Sequence, residues 1–197
     1  VPFGGVEHKA LFFADDLLTL TSPDTSLPSV VEVLLAFEKV LGYKINLAKS
    51  QALNLTIPQL QLTRLQDLTP FPWATHSIRY LGLHITGSLQ SWSSTNWRIL
   101  RKAILEDFQR WKPIHTSCLG RINVIKMNIL PQVLYLFQSL LSFVLEADIK
   151  LLQKDVFAFI GKGKQACISS KLLILPRERG SLACPNLLDY YWAVPLR

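Results

Sequence analysis

Two adjacent carboxylates, Asp15 and Asp16, sit between the short apolar runs of the segment from Ala10 to Thr21. Side by side, their charges repel unless a cation lies between them. Carboxylate oxygens on a tight turn suit Mg²⁺, a hard ion that takes carboxylates and substrate phosphates together. In two-metal phosphoryl transfer one ion activates the attacking hydroxyl and the other steadies the leaving phosphate, so carboxylates must converge from more than one strand. Of the two, Asp15 is the better ligand, because successive strand residues point to opposite faces. Alone, the dipeptide reads more readily as ordinary turn chemistry, Asp being a turn-friendly residue that tolerates the left-handed region. A phosphorelay receiver also pairs Asp residues at the end of an early strand, but it needs another Asp ending a later one, and the expected strands ending at Leu55 and Thr86 have none.

The apolar runs flanking the pair are too short for helices and predict a β-hairpin whose turn carries the carboxylates. A helix follows, started by Ser26 or Ser29, with Ser29 and Glu32 at capping-box spacing. Its apolar face, Val30, Leu34, Phe37 and Leu41, is expected to lie on the hairpin's sheet, and Gly42 ends it. Residues 43–50 read as a loop and 51–55 as a short strand; Pro58 to Thr75 looks irregular, and Ile78 to Thr86 alternates as one more strand. Beyond Gly87 and a Ser-rich linker the period becomes helical. Trp97, Leu100, Ile104, Phe108 and Trp111 mark one helix ending at Pro113, with Arg98, Arg101 and Lys102 largely off that face. A second helical segment spans Ser117 to Leu141 with a kink at Pro131. A third spans Glu146 to Ile160 and stops at Gly161, and a basic segment from Lys162 to Arg179 leads to a turn at Gly180 and an amphipathic stretch from Asn186. Strands first and helices second give an α+β fold with a boundary near 87–92.

Composition limits the partners. The chain has 197 residues, is 49% hydrophobic and only 18% charged, enough to bury a core. No uninterrupted apolar run reaches membrane-spanning length; Ile129 to Leu145 holds Pro131, Gln132 and Gln138, so it reads as a buried helix and no membrane partner is expected. Cys118, Cys167 and Cys184 are widely spaced, which predicts reduced thiols in an intracellular protein, and His76, His84 and His115 lack metal-ligand spacing. The net charge of +7 is unevenly placed: six Lys/Arg face seven Asp/Glu in residues 1–91, whereas fifteen face seven in 92–197. The second half is therefore expected to grip a polyanion.

Several motifs then carry a resemblance. Phe12-Phe13-Ala14-Asp15-Asp16 resembles the polymerase motif of reverse transcriptases, in the form typical of non-LTR retrotransposons of the long interspersed element type. Gly42 to Asn46 with Lys49 and Ser50 is similar to the family's next motif, and Tyr80-Leu81-Gly82 to the one that grips the primer. Trp111-Lys112, Gly120 to Asn123, Lys126-Met127 and Ile129 to Pro131 look like its thumb, and Gly180 to Pro185 with Tyr190-Tyr191 like the segment after it. The resemblance implies a partial polymerase palm of antiparallel hairpins plus a helix over residues 1–90, an all-helical thumb over 91–161 and a connector over 162–197. It implies RNA-directed DNA synthesis from an RNA template and a DNA primer, deoxynucleoside triphosphates as substrates, and two Mg²⁺ ions, with Mn²⁺ as a substitute. Asp15 and Asp16 would be the catalytic metal ligands.

In that scheme Lys49 would touch phosphate near the incoming nucleotide, and Tyr80, Leu81 and Gly82 would shape the primer grip, a small residue letting the backbone approach. Arg98, Arg101, Lys102, Arg121 and Lys126 would hold backbone phosphates without reading sequence. Trp97, Phe108 and Trp111 could stack on bases, but their helical spacing favours a core. The chain also departs from the family. Its first metal-binding Asp and its fingers lie upstream of the hairpin in relatives, no Asp precedes Asp15 here, Gly161 stands where an aromatic is usual and Ser181 where a second Gly is. The isolated chain is therefore expected to be inactive without the N-terminal palm and fingers of its polyprotein, and to act, if expressed, within a ribonucleoprotein of nucleus and cytoplasm. A non-enzymatic nucleic-acid-binding remnant is the competing reading, and a helical scaffold or membrane-associated protein a third, supported only by apolar content.

Overall fold

The computed structural model describes residues 2–3, 6–7, 10–21, 26–42, 44–57, 59–140, 144–162 and 169–194. Its contacts divide the chain into two compact units, Val1–Ser88 and Leu89–Arg197. Every described strand lies in the first and the second is helical, so the fold class is α+β.

In the first unit the described strands form four two-stranded pairs. β1 (Pro2–Phe3) pairs with β2 (Val6–Glu7), β3 (Ala10–Phe13) with β4 (Asp16–Thr19), and β7 (Ser77–Tyr80) with β8 (Leu83–Thr86), all antiparallel. The span from Ile78 to Thr86, which alternates like a single strand, is thus a hairpin. Its turn residues Leu81 and Gly82 both have positive φ, 48° and 81°, the pattern of a type I′ turn. β5 (Ala52–Leu53) and β6 (Trp73–Ala74) run parallel, so not every pair is a hairpin.

Between them lies α2 (Gln59–Leu68), in a stretch expected to be irregular. Its polar residues are used at the helix ends and turns. Asn54 shapes the entry by accepting from the Ile57 N–H at 2.7 Å and donating to the Ile57 carbonyl at 2.8 Å. At the exit the Thr69 hydroxyl donates to the Leu65 carbonyl, 3.1 Å, and accepts from Trp73 Nε1, 2.7 Å. One orphan carbonyl and one indole donor are satisfied together.

α1 (Ser26–Leu41) ends as expected at Gly42, which has φ +72° and donates to the Glu38 carbonyl at 2.9 Å. Ser29 lies inside the helix, so the Ser29–Glu32 capping box does not start it. Nor is the expected face buried on the hairpin: Val30 and Leu34 are half-buried, and Phe37 is 52% exposed. The Leu41 side chain lies outside the described residues.

The second unit is built around a continuous core. α3 (Leu89–Trp111) contributes Trp97, Ile104 and Phe108, and starts earlier than expected, taking in the Ser-rich linker. Ser94 Oγ donates to the Ser91 carbonyl, 3.2 Å, and Asn96 Nδ2 to the Trp92 carbonyl, 2.9 Å, so polar side chains are satisfied by the helix's own backbone. α4 (Cys118–Val124) is capped by Ser117, whose hydroxyl accepts from the Gly120 N–H at 3.1 Å.

A π turn, Ile125–Ile129, then joins α4 to α5 (Leu130–Ser139). The irregularity expected at Pro131 therefore precedes it. The proline lacks an N–H and fits the first turn of α5, while the wider turn absorbs the mismatch. The turn keeps Ile122, Ile125, Ile129, Val133 and Leu136 in one buried stripe.

α6 (Glu146–Ile160) faces inward through Ile149, Leu152, Val156 and Phe159. Each fully buried aliphatic side chain contributes about 1.5–3 kcal/mol of transfer free energy. α7 (Ser170–Ile174), a 3-10 turn (Arg177–Arg179) and α8 (Leu187–Ala193) follow. These residues pack into the second unit. Gln153 of α6 accepts from the Leu187 N–H, 2.8 Å, and donates to the Pro185 carbonyl, 3.3 Å. Tyr191 donates its hydroxyl to the Val144 carbonyl, 3.2 Å.

Candidate functional site

The hairpin of β3 and β4 presents the carboxylates at its tip. Ala14 and Asp15 form the turn, with Ala14 at φ +51°, and Asp16 opens β4 opposite Phe13. Both carboxylates are exposed, so keeping them charged costs little desolvation. Their apolar supports are exposed too, Phe12 at 77% and Phe13 at 60%.

Two adjacent exposed carboxylates suit a hard cation that keeps several of its waters. A two-ion arrangement needs a further carboxylate from another strand. Among the described residues no group of three or more His, Cys, Asp or Glu side chains converges. The residues present thus fit part of such a site and not the whole, and no catalytic step is derived through the ions.

Lys49 sits on an exposed turn closed by Asn46: the Lys49 N–H donates to the Asn46 carbonyl, 3.1 Å, and to its side-chain oxygen, 3.2 Å. No hydrogen bond or ion pair joins Lys49 to Asp15 or Asp16 among the described residues. Tyr80, Leu81 and Gly82 form the end of the β7–β8 hairpin, with Tyr80 half-buried and Gly82 exposed. Leu81 is held in the left-handed region, which a side chain with a Cβ seldom adopts.

The five basic residues expected to hold phosphates have different fates. Arg98 and Lys102 are exposed on α3. Arg101 is drawn to Asp155 of α6, with Nη2 at 2.9 Å and Nε at 3.2 Å from the same oxygen. With Trp97, Leu105 and Asp148 they line a shallow groove of about 590 Å³. Lys126 is half-buried in the π turn. Arg121 is a correction: only 3% exposed, it lies in the core, where it donates to the Phe159 carbonyl at 2.6 Å and sits 5.0 Å from that ring's centroid. It satisfies a carbonyl in the last turn of α6, a position that favours a cation, so its role is in the fold.

Among the aromatics, Trp97 stacks on Phe137 (6.1 Å between centroids) and Phe108 on Phe159 (4.5 Å), both inside the core. Trp111 is half-buried. Cys118 and Cys184 are free thiols; Cys167 lies outside the described residues.

The sequence reading missed the other half of the groove. Ser94, Leu105, Glu106 and Gln109 lie along one side of α3 with Arg98, Arg101 and Lys102, a spacing readable in the sequence. Asp148 arrives from α6, and no local signal could place it there. No described helix is long and apolar enough to cross a membrane. No protein-family model matches the chain.

Proposed function

We propose that the chain is part of an RNA-directed DNA polymerase of a non-LTR retrotransposon, with the first unit a partial palm and the second a helical thumb. The observation that carries the reading is the hairpin tip, where adjacent Asp15 and Asp16 are exposed just after exposed Phe12 and Phe13. The ordered motifs from Gly42 to Tyr191 support it, as does the excess of Lys/Arg in the second half. Asp15 and Asp16 would hold Mg²⁺ together with substrate phosphates and a carboxylate from outside the described residues, and the bound ions would supply electrostatic stabilisation for phosphoryl transfer. Lys49 and the Tyr80–Gly82 turn would contact nucleotide phosphate and primer, and exposed cations of the second unit the template–primer backbone.

The second reading, a non-enzymatic nucleic-acid-binding remnant, is favoured by the lack of a third converging carboxylate among the described residues. Two measurements separate the possibilities. Mn²⁺ added to the labelled protein should broaden the NMR resonances of the Asp15–Asp16 turn, and the broadening should be lost in Asp15→Asn; an unaffected turn removes the metal role. In primer extension on an RNA template the isolated chain should incorporate no nucleotide. Incorporation that vanishes in Asp15→Asn would show a complete polymerase site and overturn the need for a further carboxylate.

A further inference from the structure

The second unit's positive charge is not where the α3 groove would put it. Arg101 pairs with Asp155 at 2.9 Å, Lys102 with Glu106 at 4.0 Å, Lys150 with Glu146 at 2.8 Å and Arg110 with Asp107. Arg121 is buried. The groove's three cations also face Glu106 and Asp148. Of the groove's three cations only Arg98 is without an ion pair among the described residues, and Glu106 and Asp148 line the groove beside it, so a phosphate there would meet carboxylates as well as cations.

The segment after α6 is different. Lys171, Arg177 and Arg179 are all exposed, and none takes part in an ion pair among the described residues; Glu178 is the acid between them. The backbone gathers them. The Cys184 N–H donates to the Leu173 carbonyl at 2.8 Å, the Ala183 N–H to the Leu175 carbonyl at 3.1 Å, and Ser181 Oγ to the Leu172 carbonyl. Gly180, at φ +76°, turns the chain back after the 3-10 turn, whose Gly180 N–H donates to the Arg177 carbonyl at 2.9 Å. Residues 171–180 thus form a fold-back pinned at its base, where Leu173 and Cys184 are buried at 3% and 2% exposure. Three unpaired cations on a hydrogen-bonded turn lose less freedom on meeting phosphates than three on an unstructured tail.

We propose that this fold-back, from Lys171 to Gly180, is the main phosphate-contacting surface of the second unit, taking the sugar–phosphate backbone of an RNA–DNA duplex by charge and not by sequence. The choice of duplex rests on the polymerase reading; the placement rests on three exposed, unpaired cations falling within nine residues of one backbone-pinned fold-back, whereas Arg98, Lys112, Lys154 and Lys162, also exposed and without an ion pair among the described residues, are spread over other elements. Phosphate contacts made by Lys and Arg release counterions and make affinity steeply dependent on salt. Loss of three should lower the slope of log affinity against log salt by roughly 2 to 3.

The test measures fluorescence anisotropy of a labelled mixed-sequence RNA–DNA hybrid with the full 197-residue chain, without Mg²⁺, between about 50 and about 200 mM salt. The combined Lys171→Gln, Arg177→Gln and Arg179→Gln variant should lose at least about tenfold in affinity at low salt, with roughly 20- to 60-fold less salt sensitivity across the range. Arg177→Lys with Arg179→Lys should keep both. Arg98→Gln with Lys102→Gln should change the slope by less than the triple variant. A triple variant with unchanged affinity and slope, or a larger loss from the α3 pair, overturns the placement and leaves the polymerase reading standing. A wild-type chain that does not bind the hybrid at low salt overturns both.

Discussion

Removing the Arg121 guanidinium separates a role in the fold from a role in binding. Arg121 is 3% exposed, with Nη1 2.6 Å from the Phe159 carbonyl, its guanidinium carbon 5.0 Å from the Phe159 ring centroid, and Nε without a partner. A hydrogen bond from a charged donor contributes about 1.5–3 kcal/mol, and a desolvated cation over a ring about 2 kcal/mol. Against these stands the cost of burying a cation with no carboxylate beside it, several kcal/mol. In Arg121→Met the terms nearly cancel. The thioether chain fills much of the space, and the Phe159 carbonyl keeps the Lys162 N–H at 3.3 Å as a partner. The expected change in unfolding free energy is within about 1 kcal/mol. Arg121→Ala also leaves a cavity beside fully buried Ile122, and should lose about 3 kcal/mol or more.

Urea unfolding followed by far-ultraviolet ellipticity measures both variants, and hybrid affinity is measured on the folded Met variant. Its affinity and salt slope should match the wild type. A slope lower by about one, the signature of one lost phosphate contact, together with unchanged stability in Arg121→Ala, would put the guanidinium at the surface and refute its burial.

Three further outcomes follow from the same unit. Burial pushes the Cys184 thiol up from 9.0 to about 11, partly offset by nearby Lys126. The folded state therefore holds its proton where the unfolded state has lost it. This contribution to stability is fully present below pH 9 and is lost as pH rises from about 9 to about 11, as urea titrations across that range will show. Under native conditions a thiol reagent should modify half-buried Cys118 before Cys184. Gln153→Leu removes the acceptor of the Leu187 N–H and the donor to the Pro185 carbonyl, and should cost about 1–3 kcal/mol, read as a lower urea midpoint.

The legible parts of this chain were those where local pattern and tertiary burial agree. α6 reads directly from acidic Glu146 and Asp148 at its start, the periodic Ile149, Leu152, Val156 and Phe159, and Gly161 at its stop. The Asp15–Asp16 hairpin is equally local, its register fixed by a tight turn. Failures came where polar residues serve the backbone. Gln, Thr and Asp between Pro58 and Thr75 looked like a loop, yet α2 buries Leu65 and is closed by Thr69. The serines before Trp97 looked like a linker but bond within α3. The turn at Leu81 escaped because leucine is a poor choice for positive φ, leaving Gly82 as the only cue.

At the site, exposure was foreseeable and partnership was not. Asp15, Asp16, Arg98 and Lys102 lie in the open as their patterns imply, while the Asp155 that takes Arg101 and the carbonyl that takes Arg121 are 54 and 38 residues away. The balance between paired and free cations is thus a property of the packed chain.

The π turn at Ile125–Ile129 also governs how this protein can change in length. A wide turn acts as one residue held in reserve within a rod, like a vernier that brings two scales back into step. Ile122 on one side of it and Val133 on the other are both fully buried. Substitution at outward-facing Met127, 80% exposed, leaves the setting alone. A one-residue deletion within 125–129 would let the wide turn tighten to an ordinary α turn with its flanking halves nearly in register, whereas the same deletion in a regular helix would advance one half by about 100° against the other.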